Sequence, residues 1–209
     1  FHYHAPAIEK DDGIYMSGFL GCFIDSLASY CEHVQCFLHS PRVDEISMMD
    51  YRIIAQNVSL TDIGPHTSII NRTLKSRSYT SAVHKNRSHL DAMLLRGASP
   101  LLPAMAAASP VPTILLLVSD YLEGISDLPQ PRWRKEAIRL WSYWNKWGQD
   151  RTVRHSLTFV NSRVLYDEYK EKAPFLQETR TTTLSEHEFF IRTDTCQARP
   201  IHLLYTGRI

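Results

Sequence analysis

Between Pro112 and Ser119 the sequence runs Thr-Ile-Leu-Leu-Leu-Val, with nothing polar after Thr113. A strand with one wet face alternates apolar and polar residues. An unbroken branched run instead fits a parallel strand covered on both faces. The run is far too short to cross a bilayer. A strand buried on both sides needs helices above and below its sheet, which implies strands alternating with helices along the chain.

The rest of the sequence follows that alternation. Phe1 to Pro6 reads as a short first strand and Ala7 to Gly18 as a polar, glycine-bearing loop. Phe19, Leu20, Phe23, Ile24, Leu27, Ala28 and Cys31 recur at three-and-four spacing, the mark of a helix with one buried face. His33 to His39 alternates as a second strand, ended by Pro41. Tyr51 to Leu60 contains an edge-like strand, and Thr67 to Lys75 a short helix. Lys75 to Arg87 is basic and serine-rich and is expected to be a mobile surface loop, a phosphate or membrane contact being the alternative. Ser88 to Arg96 is a buried strand ending at Gly97, and Pro100 to Ala108 a short alanine-rich helix. A long helix is expected from Arg132 to Gln149, a central strand over Leu157 to Val160, and a helix from Ser162, its cap, to Lys172. Thr179 to Thr183 and Ile201 to Tyr205 are expected strands. The fold class is therefore α/β, a Rossmann-like parallel sheet with helices on both faces. Ligands in such folds sit at the carboxyl ends of the strands. That selects the loops Gly13–Gly21, Arg96–Ser99, Ser119–Gly124 and Thr183–Glu188.

Bulk properties exclude some classes. The 209 residues are 44% hydrophobic and 22% charged, enough for one good core or one domain and part of another. A formal net charge of +1 gives no electrostatic footprint for nucleic acid. Cys22, Cys31, Cys36 and Cys196 form no CxxC pair, so no metal site is expected. The first three lie among apolar residues and read as reduced, buried thiols, which favours a cytoplasmic chain. His2 and His4 alternate on a strand and read as plain surface residues, a metal site being the alternative. Trp141, Trp144 and Trp147 lie at helical spacing among Arg132, Arg134, Lys135, Arg139 and Lys146. An aromatic stripe of this kind reads as core, and a membrane-surface helix is the alternative.

Several segments resemble glycosyltransferase family 4, the retaining sugar transferases of GT-B fold. They are the glycine-bearing loop and helix start Gly13 to Leu20, the segment "TILLLVSDYLEG", the segment "LTFVNSRVLYDEY", and "TTTLSEHEFF" followed by "IHLLYTGRI". The likeness spans nearly the whole chain, closest from Ser119 onward and loosest from Ser40 to Arg87. It implies an N-terminal, acceptor-side domain over residues 1–198. Residues 199–209 would then be the first strand of a C-terminal donor-binding domain otherwise absent from the chain. The implied reaction moves a sugar from a nucleotide-sugar co-substrate to the hydroxyl of a sugar or lipid-linked acceptor, with retention and without metal or other cofactor. The implied partners are that donor, that acceptor and the missing domain, with no nucleic acid. The implied place is the cytoplasm, with peripheral membrane contact as an extension. Because the family holds its nucleotide with residues downstream of the Gly-Arg pair, this chain alone is expected to be inactive.

The chemistry needs a stabilised diphosphate, an exposed anomeric carbon and an oriented acceptor. Gly18 is the candidate backbone donor to phosphate, with a plain turn as the alternative. Gly207 and Arg208 would join it on the donor phosphate. Asp120, where many family members carry His, is the candidate catalytic group, suited to bond sugar hydroxyls or accept the acceptor proton. A turn role is its alternative. Tyr121 is suited to stack on a sugar, with plain packing as its alternative, and Arg96 with Gly97 to meet an anionic acceptor or a phosphate, a surface salt bridge being the plainer role for Arg96. Glu186 and Glu188 would line the cleft. The competing class is a stand-alone flavodoxin-like or Rossmann-like ligand-binding module without catalysis. A dinucleotide-dependent oxidoreductase is disfavoured, since no GxGxxG follows the first strand.

Overall fold

The computed structural model describes residues 1–122 and 124–179. Nine strands form one sheet: β1 (His2–Lys10), β2 (Gly13–Met16), β3 (Val34–Ser40), β4 (Tyr51–Arg52), β5 (Val58–Pro65), β6 (Met93–Gly97), β7 (Thr113–Leu117), β8 (Leu157–Val160) and β9 (Phe175–Glu178). Six α-helices join them: α1 (Gly18–Ala28), α2 (Ile69–Leu74), α3 (Ser76–Lys85), α4 (Leu102–Ala108), α5 (Arg132–Val153) and α6 (Arg163–Tyr169). The α/β Rossmann-like class is what the alternating pattern implied.

The parallel part of the sheet lies in the order β5-β3-β1-β6-β7-β8-β9. The chain winds outward from β1 through β3 to β5, then returns and winds the other way from β6. The order therefore reverses between β1 and β6, and side chains at the carboxyl ends of those two strands border an opening that no crossover covers. The unbroken run at β7 is central, paired with β6 and β8 along its whole length.

Two apolar layers sandwich the sheet. On one side Tyr79, Val83, Leu102, Met105, Val153, Leu165 and Tyr169, from α3 to α6, pack on Phe37, Leu95, Leu115, Leu117 and Val160. On the other, Leu20, Ile24 and Ala28 of α1 pack on Met16, Cys36 and Leu38. Phe37 faces one layer while Cys36 and Leu38 face the other, as strand alternation requires. Ser162 caps α6 through its hydroxyl, which accepts from the Leu165 amide. Its replacement by Ala is expected to cost about 1 kcal/mol, read as a lower urea midpoint. An unchanged midpoint would show the cap to be idle.

The structure corrects several expectations. Residues 7–18 are no loop. β1 continues to Lys10, turns through Asp11 and Asp12, and pairs antiparallel with β2. Gly13 enters β2 at φ 146°, a conformation side chains resist. Tyr51 to Leu60 is two strands: β4 extends the hairpin and β5 is an edge of the parallel sheet. The serine-rich stretch is helix α3, with Tyr79, Thr80 and Val83 buried. Cys31 is exposed. A strand not expected from the sequence, Phe175–Glu178, is the last described, and the expected strand 179–183 lies outside the described residues beyond Thr179. The expected strand 201–205, Cys196 and residues 199–209 lie outside the described residues.

The largest correction concerns α5. Its buried residues are Ser142, Asn145, Gln149 and Val153, a mostly polar face. Trp133, Trp144 and Trp147 are 73%, 71% and 61% exposed. Small and polar side chains let α5 approach α4 closely: a Cβ at Gly148 would come within 2.8 Å of Pro103. The rings of Trp133, Trp144 and Trp147 are left outside, while Trp141 is half-buried. No helix among the described residues is long and apolar enough to cross a membrane.

Candidate functional site

The opening between β1 and β6 is shaped by an irregularity in β1. His2 pairs with Phe37 of β3, and Pro6 pairs with His39. Four steps along β1 thus match two along β3, and the surplus bulges at Tyr3, His4 and Ala5. Bulges re-aim side chains near sites. Here the bulge carries Tyr3 and His4, whose tilted rings lie 4.1 Å apart.

Two arginines flank that dipeptide. Arg72 of α2 donates from Nη1 to the His4 carbonyl, 3.4 Å away. Arg96, at the carboxyl end of β6, lies 5.1 Å from the Tyr3 ring centroid, 5.6 Å from Phe19 and 5.2 Å from Phe23. Residue exposures are 5% for Arg72 and 9% for Arg96. No carboxylate within ion-pair distance meets either one among the described residues. Arg72 Nε and Arg96 Nε and Nη1 have no hydrogen-bond partner. Burial lowers the pKa of both. The surface salt bridge considered for Arg96 is thereby replaced by a buried guanidinium wrapped in aromatic rings.

Histidines complete the cluster. His39 is fully buried, with Nδ1 3.0 Å from the Gly64 carbonyl. His66 sets Nδ1 2.7 Å from Glu45 Oε1, and its ring lies 5.6 Å from that of His39. Each leaves Nε2 without a partner, as His4 leaves Nδ1. Burial, and then the charges of Arg72, His66, His39 and Arg96, push the His4 pKa down to about 4. His39 is likewise lowered to about 4, chiefly by burial, against the bond to Gly64. His2, fully buried against the Phe37 carbonyl, falls to about 3. His2 is therefore buried and His4 half-buried, so neither is a plain surface residue.

A second polar group borders the same edge. Asp120 follows β7 and accepts from the Leu122 amide at 3.2 Å. Its Oδ1 lies 3.5 Å from Lys146 Nζ of α5, which also binds Glu168 and lies 3.3 Å from the Tyr169 hydroxyl. Burial works against the Lys146 charge, but Glu168, Tyr169 and Asp120 outweigh it and its pKa is raised. Tyr121 is buried. Its hydroxyl donates to the Ser99 carbonyl at 2.5 Å and accepts from the Ser99 amide at 3.1 Å. Ser119 Oγ accepts from Ala98 at 3.4 Å. These bonds tie the loop after β6 to the loop after β7.

The structure thus brings Arg96, Gly97, Asp120 and Tyr121 to one edge. Tyr121 spends its hydroxyl on Ser99 and meets Trp141 edge-on, so its ring is a strut between loops. At Gly97 a Cβ would come within 2.7 Å of Leu102, so the glycine serves close packing. Gly18 opens α1, but its amide already donates to Asp50 Oδ1 at 3.0 Å, so a carboxylate holds the position a phosphate would take. Glu186, Glu188, Gly207 and Arg208 lie outside the described residues. His4, His39, His66 and Arg72 were missed in the sequence. They come from separate segments and share no motif. The one available signal was arginine next to apolar residues in a helix start. No metal-holding group of His, Cys, Asp or Glu occurs among the described residues. Compared with protein-family models and with characterised proteins, the chain matches none.

Proposed function

We propose that this chain is the acceptor-side, Rossmann-like domain of a nucleotide-sugar-dependent glycosyltransferase acting with retention. The supporting observation is the placement of the Asp120 loop. The doubly wound strand order sets it at the carboxyl edge beside the β1/β6 opening, bonded to the loop that carries Arg96. The sequence resemblance reaches the same loop from a different direction. In this reading Asp120 binds the acceptor sugar and takes its hydroxyl proton, while Lys146 keeps the carboxylate in place. The donor is held by a second domain carrying the basic and acidic nucleotide ligands.

The test is consumption of nucleotide-sugar by the polypeptide that includes the donor-binding domain. Asp120→Ala is expected to lower kcat by about 10²- to 10⁴-fold with its melting temperature preserved. Equal turnover by the two proteins, or none by the wild type with any nucleotide-sugar, would overturn the reading. The second outcome would leave the stand-alone binding module.

The exposed face of α5 supports a lipid-linked acceptor at an anionic bilayer surface. Trp133, Leu140, Trp144 and Trp147 form one stripe, with Ile70 and Leu74 of α2 also exposed. The Trp141 indole bonds Thr73 and joins the two helices. Exposed Arg132, Arg134, Lys75 and Arg77 supply the complementary charge. Co-sedimentation with phosphatidylserine-containing vesicles is expected, with little on pure phosphatidylcholine. Trp144→Ser with Trp147→Ser should weaken it by about tenfold or more. Unchanged sedimentation of the double variant would remove α5 as the contact.

A further inference from the structure

We infer that Arg72, Arg96 and the histidines around the β1 bulge form a seat for a phosphate group of a small ligand. This inference stands whether or not the chain transfers sugars. It concerns the β1/β6 opening beside which the transferase reading sets the Asp120 loop, and it requires no sugar transfer.

An arginine cannot shed its charge, and burying it without a counter-ion is costly. A fold that only needed to fill this space would place apolar side chains there, since replacing buried charge by packed hydrocarbon is commonly neutral or stabilising. Here two guanidiniums with residue exposures below a tenth flank one dipeptide, and three of their nitrogens have no acceptor. The nearby carboxylates are engaged elsewhere. Glu45 takes Arg42 and His66. Asp62 takes the amides of Ser40 and Gly64. The missing partner is therefore an external acceptor with several oxygens.

Phosphate fits better than carboxylate. Its oxygens can meet two guanidiniums from different directions, while a planar carboxylate is satisfied by one. The imidazoles suit it as well. His39 and His66 each have Nδ1 on an acceptor, a carbonyl and a carboxylate. Their Nε2 atoms accept from a ligand hydroxyl when neutral, or donate to phosphate once protonated. A phosphomonoester on a polyol offers both groups. A nucleoside diphosphate offers the same phosphate oxygens from another source.

The experiment is thermal unfolding of the full chain with inorganic phosphate, glucose 1-phosphate or uridine diphosphate, each against chloride at equal ionic strength. At about a hundredfold Kd the melting temperature should rise by about 5–11 °C. A larger shift with glucose 1-phosphate marks a phosphomonoester ligand, and with uridine diphosphate a nucleotide. Arg96→Met and Arg72→Met are expected to melt at or above the wild-type temperature without ligand and to lose the phosphate shift. A purely structural arginine would give the reverse, a lower melting point with the shift kept. That result, or no shift in the wild type with all three probes, would overturn the inference. Neither outcome depends on turnover, so the transferase reading is tested apart from this one.

Discussion

Between pH 7 and pH 5 the protein is expected to lose about 5 kcal/mol of stability, and its enclosed histidines are the cause. His2, His4 and His39 have folded pKa values of about 3, 4 and 4 against 6.5 in an open chain. Below pH 6.5 the unfolded chain takes up protons that the folded protein refuses. Stability is therefore full above that value and falls with pH until the folded values are reached. Near pH 5 up to roughly three more protons bind the unfolded state, a slope of up to about 4 kcal/mol per pH unit. A domain with ordinary stability of about 5–15 kcal/mol cannot absorb that for long. Urea midpoints measured at half-unit steps would show the slope, and His4→Leu should flatten it by about a third. A midpoint that stays level from pH 7 to pH 5 would contradict the buried histidines.

Tyr169→Ala is expected to cost about 3–5 kcal/mol, and Tyr169→Phe about 1–3 kcal/mol. The ring is fully buried between α6 and the sheet. Its hydroxyl accepts from Gln149 at 2.9 Å and donates to Asp150 at 3.1 Å. Gln149 is itself fully buried and already has an unpartnered Oε1, so losing the hydroxyl strands the whole amide. The exposed Trp144→Ser should change stability by no more than about 0.5 kcal/mol. The order of the three midpoints is the measurement. A large loss from Trp144 with little from Tyr169→Phe would mean that α5 is held by its tryptophans after all.

The same helix shows where sequence was sufficient and where it was not. The run at β7 was legible because only one environment tolerates five adjacent branched residues. The helical period of α5 was legible too. Its facing was not, since size and apolarity argued for buried tryptophans while packing against Pro103 demanded a thin polar face. The hairpin had a local signal, the polar Asp11-Asp12 pair followed by Gly13. Helix α3 had one as well, in Tyr79 and Val83 four apart. The site was only partly legible. Arg96, Gly97, Asp120 and Tyr121 lie at strand ends that a topology argument can name. His39, His66 and Arg72 meet His4 through long-range pairing, which leaves no trace in local pattern.

The surplus residues at Tyr3 to Ala5 have a further consequence. β1 serves three ladders, pairing with β6 at His2, with β3 from His2 to Pro6 and with β2 from Ala7 onward. Side chains alternate with a period of two, so removing one residue from this stretch would turn everything beyond it over. Ala7 would face water and Ile8 the core, and the hairpin would have to follow. The length of this short segment therefore works as a common ruler for the ligand opening and the outlying ribbon. A scan of single-residue deletions should find 3–5 far less tolerant than the turn at Asp11 and Asp12. Neither the opening nor the ribbon can drift in register without the other.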